Sequence, residues 1–114
     1  MTQQPKATDP ESPTCTAIED VMGVLGRAWA GAVLQEALAG AERFSDFKRQ
    51  VPGVSDAVLS TRLKELTERG FFARSVEAGP PTVVRYLITD VGREVEPVLR
   101  AVLTFAHDNP SAIG

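Results

Sequence analysis

The chain has 114 residues, 43% of them hydrophobic, which suffices for one self-supporting core and is too little for two ordinary domains. It holds a single cysteine, so no internal disulfide is available. No stretch has the apolar length of a membrane span or the basic-then-apolar order of a secretory leader, and a reducing, cytoplasmic setting is expected. The formal net charge of −3 is unevenly spread: residues 43–85 hold eight Lys or Arg against five Asp or Glu, and the acidic excess falls toward both ends.

Residues 1–13 contain three prolines and no apolar periodicity, which predicts a disordered arm ahead of one domain over residues 14–108, with residues 109–114 as a tail. Thr16 and Glu19 have the spacing of a capping box, and Ile18, Val21, Met22 and Leu25 recur at helical intervals up to Gly26. A second helix is expected from Trp29 to Gly40 on the stripe Trp29, Val33, Ala37 and Leu38, with Trp29 in the core. A short third helix follows, capped by Ser45 and anchored by Phe44 and Phe47, before a turn forced by Pro52-Gly53.

After that turn, Ser55 is a good N-cap for a helix over roughly residues 55–69. Val58, Leu59, Leu63 and Leu66 form its buried stripe, and Gly70 stands where a left-handed C-terminal cap is wanted. The opposite face is polar and begins with small residues. FFARSVEA and TVVRYLIT, joined through Gly79-Pro80-Pro81, read as two strands of a hairpin. Helical periodicity then returns after Thr89: Val91, Val95, Val98, Leu99, Val102 and Phe105 predict one last helix with a continuous apolar stripe, which Pro97 can bend.

Short helix, tight turn, capped amphipathic helix and hairpin, in that order, make a winged helix-turn-helix, a mainly α fold with a small β-hairpin. A helix that enters the DNA major groove needs small polar residues at its leading end so that its backbone approaches the base edges. Ser55, Ala57, Ser60 and Thr61 meet that need, and Arg62 and Lys64 can extend to bases or phosphates. Arg43 ahead of the third helix, and Arg74 and Arg85 on the strands, are candidates for phosphate contact.

The chain resembles the HxlR-type regulators, bacterial winged-helix proteins related to the MarR group. The resemblance covers residues 15–106 and rests on Cys15, LGRAW at 25–29, RFSDFKRQVPGVSDAVLSTRLKELTERGF at 43–71, the Pro pair at 80–81 and RYLITDVGREVEPVL at 85–99. It implies a homodimer joined through the first and last helices, with each recognition helix in one half of a palindromic operator on double-stranded DNA, half-sites about one helical turn apart. Two positions depart from the family pattern: Ala57 stands where a Lys or Arg is common, and Arg85 where Glu often precedes the Tyr.

Some relatives sense oxidants or electrophiles through a cysteine near the start of the first helix, which is where Cys15 lies. A thiol beside a helix N-terminus can gain thiolate character, while a lone cysteine is equally at home as a small packed hydrophobe. Trp29 and Phe105 admit two roles as well, core packing or the lining of a small-molecule effector pocket at a dimer interface. No metal or other cofactor is expected, because His107 is the only histidine and Cys15 the only cysteine. No Ser-His-Asp set, paired-carboxylate spacing or Gly-rich phosphate loop points to an enzyme. The competing reading is a winged-helix interaction module that does not bind DNA, kept open by the net acidity and by Ala57.

Overall fold

A computed structural model describes residues 13–114. The elements run α1 (Pro13–Leu25), α2 (Ala30–Leu38), α3 (Phe44–Gln50), α4 (Asp56–Glu68), β1 (Phe72–Glu77), β2 (Val83–Ile88), α5 (Asp90–Arg93) and α6 (Glu96–Asp108), followed by a 3₁₀ turn at Pro110–Ala112. The expected N-terminal arm lies outside the described residues except for Pro13. That residue opens α1, where a missing backbone N–H costs nothing. Thr16 and Glu19 therefore sit inside the helix, and the expected capping box at its start is not formed.

The break between α1 and α2 differs from expectation at Trp29. α2 begins one residue later, and Trp29 takes a left-handed backbone conformation with φ of 70°, which is uncommon for a bulky residue. Outside the helical stripe, its ring leaves the core and is 40% exposed. It lies over Gly53 in the turn between α3 and α4, where an added Cβ would stand 3.4 Å from the indole. Val33 and Ala37 do face the core as the periodicity requires.

α3 is started by a different residue from the one expected. The Asp46 carboxylate, at the third helical position, accepts the backbone N–H groups of Arg43 at 3.0 Å and of Glu42 at 3.2 Å, and Ser45 lies within the helix. Those two bonds hold the Asp46 carboxyl below the ordinary aspartate range against the opposing effect of burial, with a lesser contribution from the nearby Arg49 guanidinium. α4 follows its sequence closely: the Ser55 hydroxyl accepts the Val58 N–H at 3.2 Å, Leu59, Leu63 and Leu66 are buried, and Gly70 adopts φ of 87°.

β1 and β2 pair antiparallel from Phe72 opposite Ile88 to Glu77 opposite Val83. Phe72 is buried and meets Phe47 edge-to-face at a centroid distance of 6.0 Å, which seats the hairpin on α3. The Tyr86 N–H also donates to the Glu42 carbonyl at 2.6 Å, tying β2 to the loop before α3.

The expected single last helix is two. Thr89 caps α5, accepting the Gly92 N–H at 3.1 Å while its hydroxyl donates to the Gly70 carbonyl at 2.5 Å. The chain then breaks at Glu94-Val95, and Pro97 falls in the first turn of α6, a position that suits starting a helix and not continuing one. The apolar stripe divides accordingly. Val95 and Leu99 are buried, whereas Val91, Val98, Val102 and Phe105 are exposed.

α5 packs hard on the hairpin base at Gly92. A Cβ there would stand 2.4 Å from the Phe71 carbonyl oxygen and 2.7 Å from Ile88 Cγ1, so Gly92→Ala should destabilise the fold by about 1–3 kcal/mol in denaturant unfolding. Asp46→Ala should cost about 1 kcal/mol at neutral pH through the lost cap. Because the folded-state pKa of Asp46 is depressed, its stabilisation is present above the ordinary aspartate value and lost as pH falls through the lowered one. The stability gap between wild type and Asp46→Ala should accordingly close in acid unfolding titrations.

Candidate nucleic-acid interface

The turn joining α3 to α4 is held from both sides. Val51 and Val54 are buried beneath it, and the Lys48 ammonium spans it, donating to the Val54 carbonyl and pairing with Asp56 at 3.1 Å. With the Ser55 cap, this fixes the direction in which α4 leaves the turn. Its buried face is leucine, so the remaining face must look outward.

That outward face begins with Ser55, Asp56 and Ala57 and continues through Ser60, Thr61 and Lys64, all exposed. The Ser55 hydroxyl oxygen is occupied by the cap. Thr61 donates its hydroxyl to the Ala57 carbonyl at 2.9 Å. Ser60 and Lys64 make no hydrogen bond or ion pair among the described residues. Arg43 is exposed at the start of α3.

Arg62 is not on this face, contrary to its expected role. Its side chain is only 13% exposed, Nε donates to the Ala28 carbonyl at 2.9 Å, and Nη1 pairs with Glu65 at 2.6 Å. Three positions before Glu65 on the helix, it is turned toward the α1–α2 junction. Arg27 reaches the same carboxylate at 3.1 Å from that junction. Arg27 first, then Arg62, hold the Glu65 carboxyl below the ordinary glutamate range, with desolvation opposing.

Arg85 is likewise committed. Its Nε pairs with Glu77 at 2.9 Å and its Nη1 with Glu42 at 3.2 Å, so it braces the hairpin against the loop before α3 instead of extending to solvent. Glu77 first, with Glu42, favours its charged form further. Arg74 remains exposed, opposite Tyr86 in the sheet register.

Between α4 and the hairpin lies a groove of about 270 Å³ lined by Lys64, Thr67, Glu68, Arg74 and Tyr86. Two cations thus flank one groove, a juxtaposition the sequence reading missed. The strand register placed Tyr86 opposite Arg74, but only the packing of α4 on β1 brings Lys64 to the same place.

The remaining candidates are scattered. Cys15 is half-buried in α1, Trp29 lies against Gly53, and Phe105 is 58% exposed on α6, so neither aromatic is core as the packing role required. Among the described residues no group of His, Cys, Asp and Glu could hold a metal ion, and no helix is long and apolar enough to cross a membrane. A second exposed surface is apolar. Ile18, Val21 and Met22 on α1 face outward, as do Val98, Val102 and Phe105 on α6, and a groove of about 200 Å³ runs between α1 and the α5–α6 segment.

The chain is 32% identical over 98 residues to an uncharacterised HTH-type transcriptional regulator of Bacillus subtilis, YvaP, covering 86% of this chain and 91% of that protein. It is 28% identical to the HTH-type transcriptional regulator YodB of the same organism over 92 residues, covering 81% and 82% of the two chains. Among solved structures, the redox regulator HypR in its reduced form superposes with a TM-score of 0.78 at 28% identity, over 85% of this chain and 96% of that one. Reduced YodB from B. subtilis superposes with a TM-score of 0.72 at 28% identity, over 81% and 90%. YvaP and YodB are described as transcriptional regulators, and HypR as a redox regulator. Residues 24–112 match the family described as HxlR-like helix-turn-helix, and the chain belongs to that family.

Proposed function

We propose that the protein is a sequence-specific transcriptional regulator that binds a palindromic operator as a homodimer and represses by occupying the promoter. The observation that carries this reading is the outward face of α4. Ser60 and Thr61 supply a narrow polar leading end, and Lys64 stands beside Arg74 across the groove to the hairpin. In this arrangement Ser60 and Thr61 approach base edges, Lys64 and Arg74 hold the flanking phosphates, and Arg43 adds a phosphate contact from the start of α3. Arg62 and Arg85 act one step back, setting the attitude of α4 and of the hairpin.

Dimerisation is supported by the apolar face shared by α1 and α6. Exposed valines, Met22 and Phe105 on neighbouring helices form a surface that a second copy would cover, and two-fold symmetry presents two recognition helices to the same side of a duplex. Cys15 is the candidate redox input, a reading supported by the redox behaviour named for HypR and by the position of Cys15 on the proposed dimerisation helix. The commitment of Arg62 and Arg85 to carboxylates favours one competing reading, an interaction module of the same fold without DNA binding.

Selection of bound duplexes from a random pool separates the two, with an enriched inverted repeat expected for the regulator and no enrichment at low salt for the module. Repeating the titration with oxidant, on wild type and Cys15→Ser, tests the redox input. On the selected operator, Lys64→Ala and Arg74→Ala should each weaken binding about uniformly across sequences and reduce the salt slope by about two, one contact being lost from each subunit of the dimer. Unchanged affinity and slope in both variants would remove the groove from the interface. Phe105→Glu should halve the mass in sedimentation while leaving the helical circular dichroism intact, since the side chain already faces solvent in a single chain; an unaltered mass would exclude α6 from the dimer contact.

A further inference from the structure

A cleft of about 310 Å³ lies between the α1–α2 junction and α4, on a different face of α4 from the proposed DNA surface. Arg62, Glu65 and Arg69 line it at i, i+3 and i+7, whereas Ala57, Ser60 and Lys64 occupy another helical face. Arg27 enters from the junction, and Val24, Ala30 and Leu66 add an apolar wall.

The polar chemistry of the cleft is already that of a carboxylate receptor. Two guanidiniums converge on one carboxylate, Glu65, which is the protein's own side chain. They differ in freedom. Arg62 is largely enclosed and also fixed to the Ala28 carbonyl, whereas Arg27 is 56% exposed and held by Glu65 alone among the described residues. Three guanidiniums, those of Arg27, Arg62 and Arg69, share the cleft with the two carboxylates of Glu65 and Glu68, so one further negative charge would balance it. The volume stands at the lower end of small-ligand sites, which limits the ligand to a compact body.

We propose that this cleft binds a small organic monocarboxylate, whose carboxylate displaces Glu65 from Arg27 while its apolar part rests on Val24, Ala30 and Leu66. Planar, two-pronged donation by guanidinium suits a carboxylate and offers nothing comparable to a neutral amide. Because the Arg27–Glu65 pair ties the α1–α2 junction to α4, occupancy would loosen the recognition helix. That consequence rests on the DNA-binding reading, whereas the binding itself is measured on the protein alone.

The test is a titration of the full-length ¹⁵N-labelled protein, without DNA, with compact monocarboxylates from acetate to benzoate and with their matched primary amides. At least one acid should saturate, shifting the backbone amides of Gly23, Arg62 and Arg69, with its amide at least tenfold weaker. Arg27→Ala, or Arg27→Lys should the alanine variant fail to fold, should lose at least tenfold in affinity. Glu65→Gln should gain at least fivefold, because the internal competitor is gone while both guanidiniums remain; a residue that only supported the fold would not give tighter binding when replaced. The proposal is overturned if no acid in the series saturates these signals, if the amides bind as well as the acids, or if Glu65→Gln binds no more tightly than wild type.

Discussion

The leucine seam of α4 is the constraint from which the rest of the molecule follows. Leu59 and Leu63 are wholly buried and Leu66 nearly so, packed in one core with Leu34, Phe47 and Phe72. Burying a side chain of this size contributes about 1.5–3 kcal/mol, more than any surface contact nearby can supply. Once that seam is fixed inward, a helix of 3.6 residues per turn has no freedom over what it shows to solvent. The small polar residues at its leading end are therefore presented by the packing of the other side.

The ion pairs do a different task. Exposed or half-exposed pairs such as Arg27–Glu65 or Lys48–Asp56 are screened by solvent and too weak to hold a domain together. What they set is direction. Lys48 spans the turn before α4, Arg62 ties the middle of α4 to the α1–α2 junction, and Arg85 joins the hairpin to the loop ahead of α3. Each links segments that the core brings near one another but does not orient finely, and orientation is what a groove-reading helix and a flanking hairpin require.

This division also explains what the sequence made legible. The seam of α4, its Ser55 cap, the left-handed Gly70 and the pairing of the two strands are local patterns, governed by residues three or four apart or by a turn between adjacent strands. Arg62 could not be read in the same way: its partner at the Ala28 carbonyl is 34 residues away, and Arg85 meets Glu42 across 43. Helical spacing from Leu59 and Leu66 sets Arg62 beside the buried seam, with Glu65 one turn on, but does not reveal the distant carbonyl that holds it. Trp29 failed for a related reason, since a shift of one residue in the start of α2 removes it from the helical stripe altogether. The continuous valine and leucine run after Thr89 concealed a break that Pro97 favours but does not by itself locate.

The net acidity, which at first weighs against a polyanionic partner, takes another meaning once the pairings are known. Glu42 and Glu77 engage Arg85, Glu65 engages Arg27 and Arg62, Asp56 engages Lys48, and Asp46 caps α3 while pairing with Arg49. Acidic residues in the basic middle of the chain are thus spent largely on orienting the scaffold. Lys64 and Arg74, which flank the groove between α4 and the hairpin, have no ion-pair partner among the described residues. A polyanion approaching that groove meets these two charges, offset by the one carboxylate of Glu68 in the same lining, at close range, within a Debye length at physiological salt, while charges elsewhere on the chain are screened with distance. The total of −3 then bears on solubility and long-range approach, and the local arrangement bears on contact.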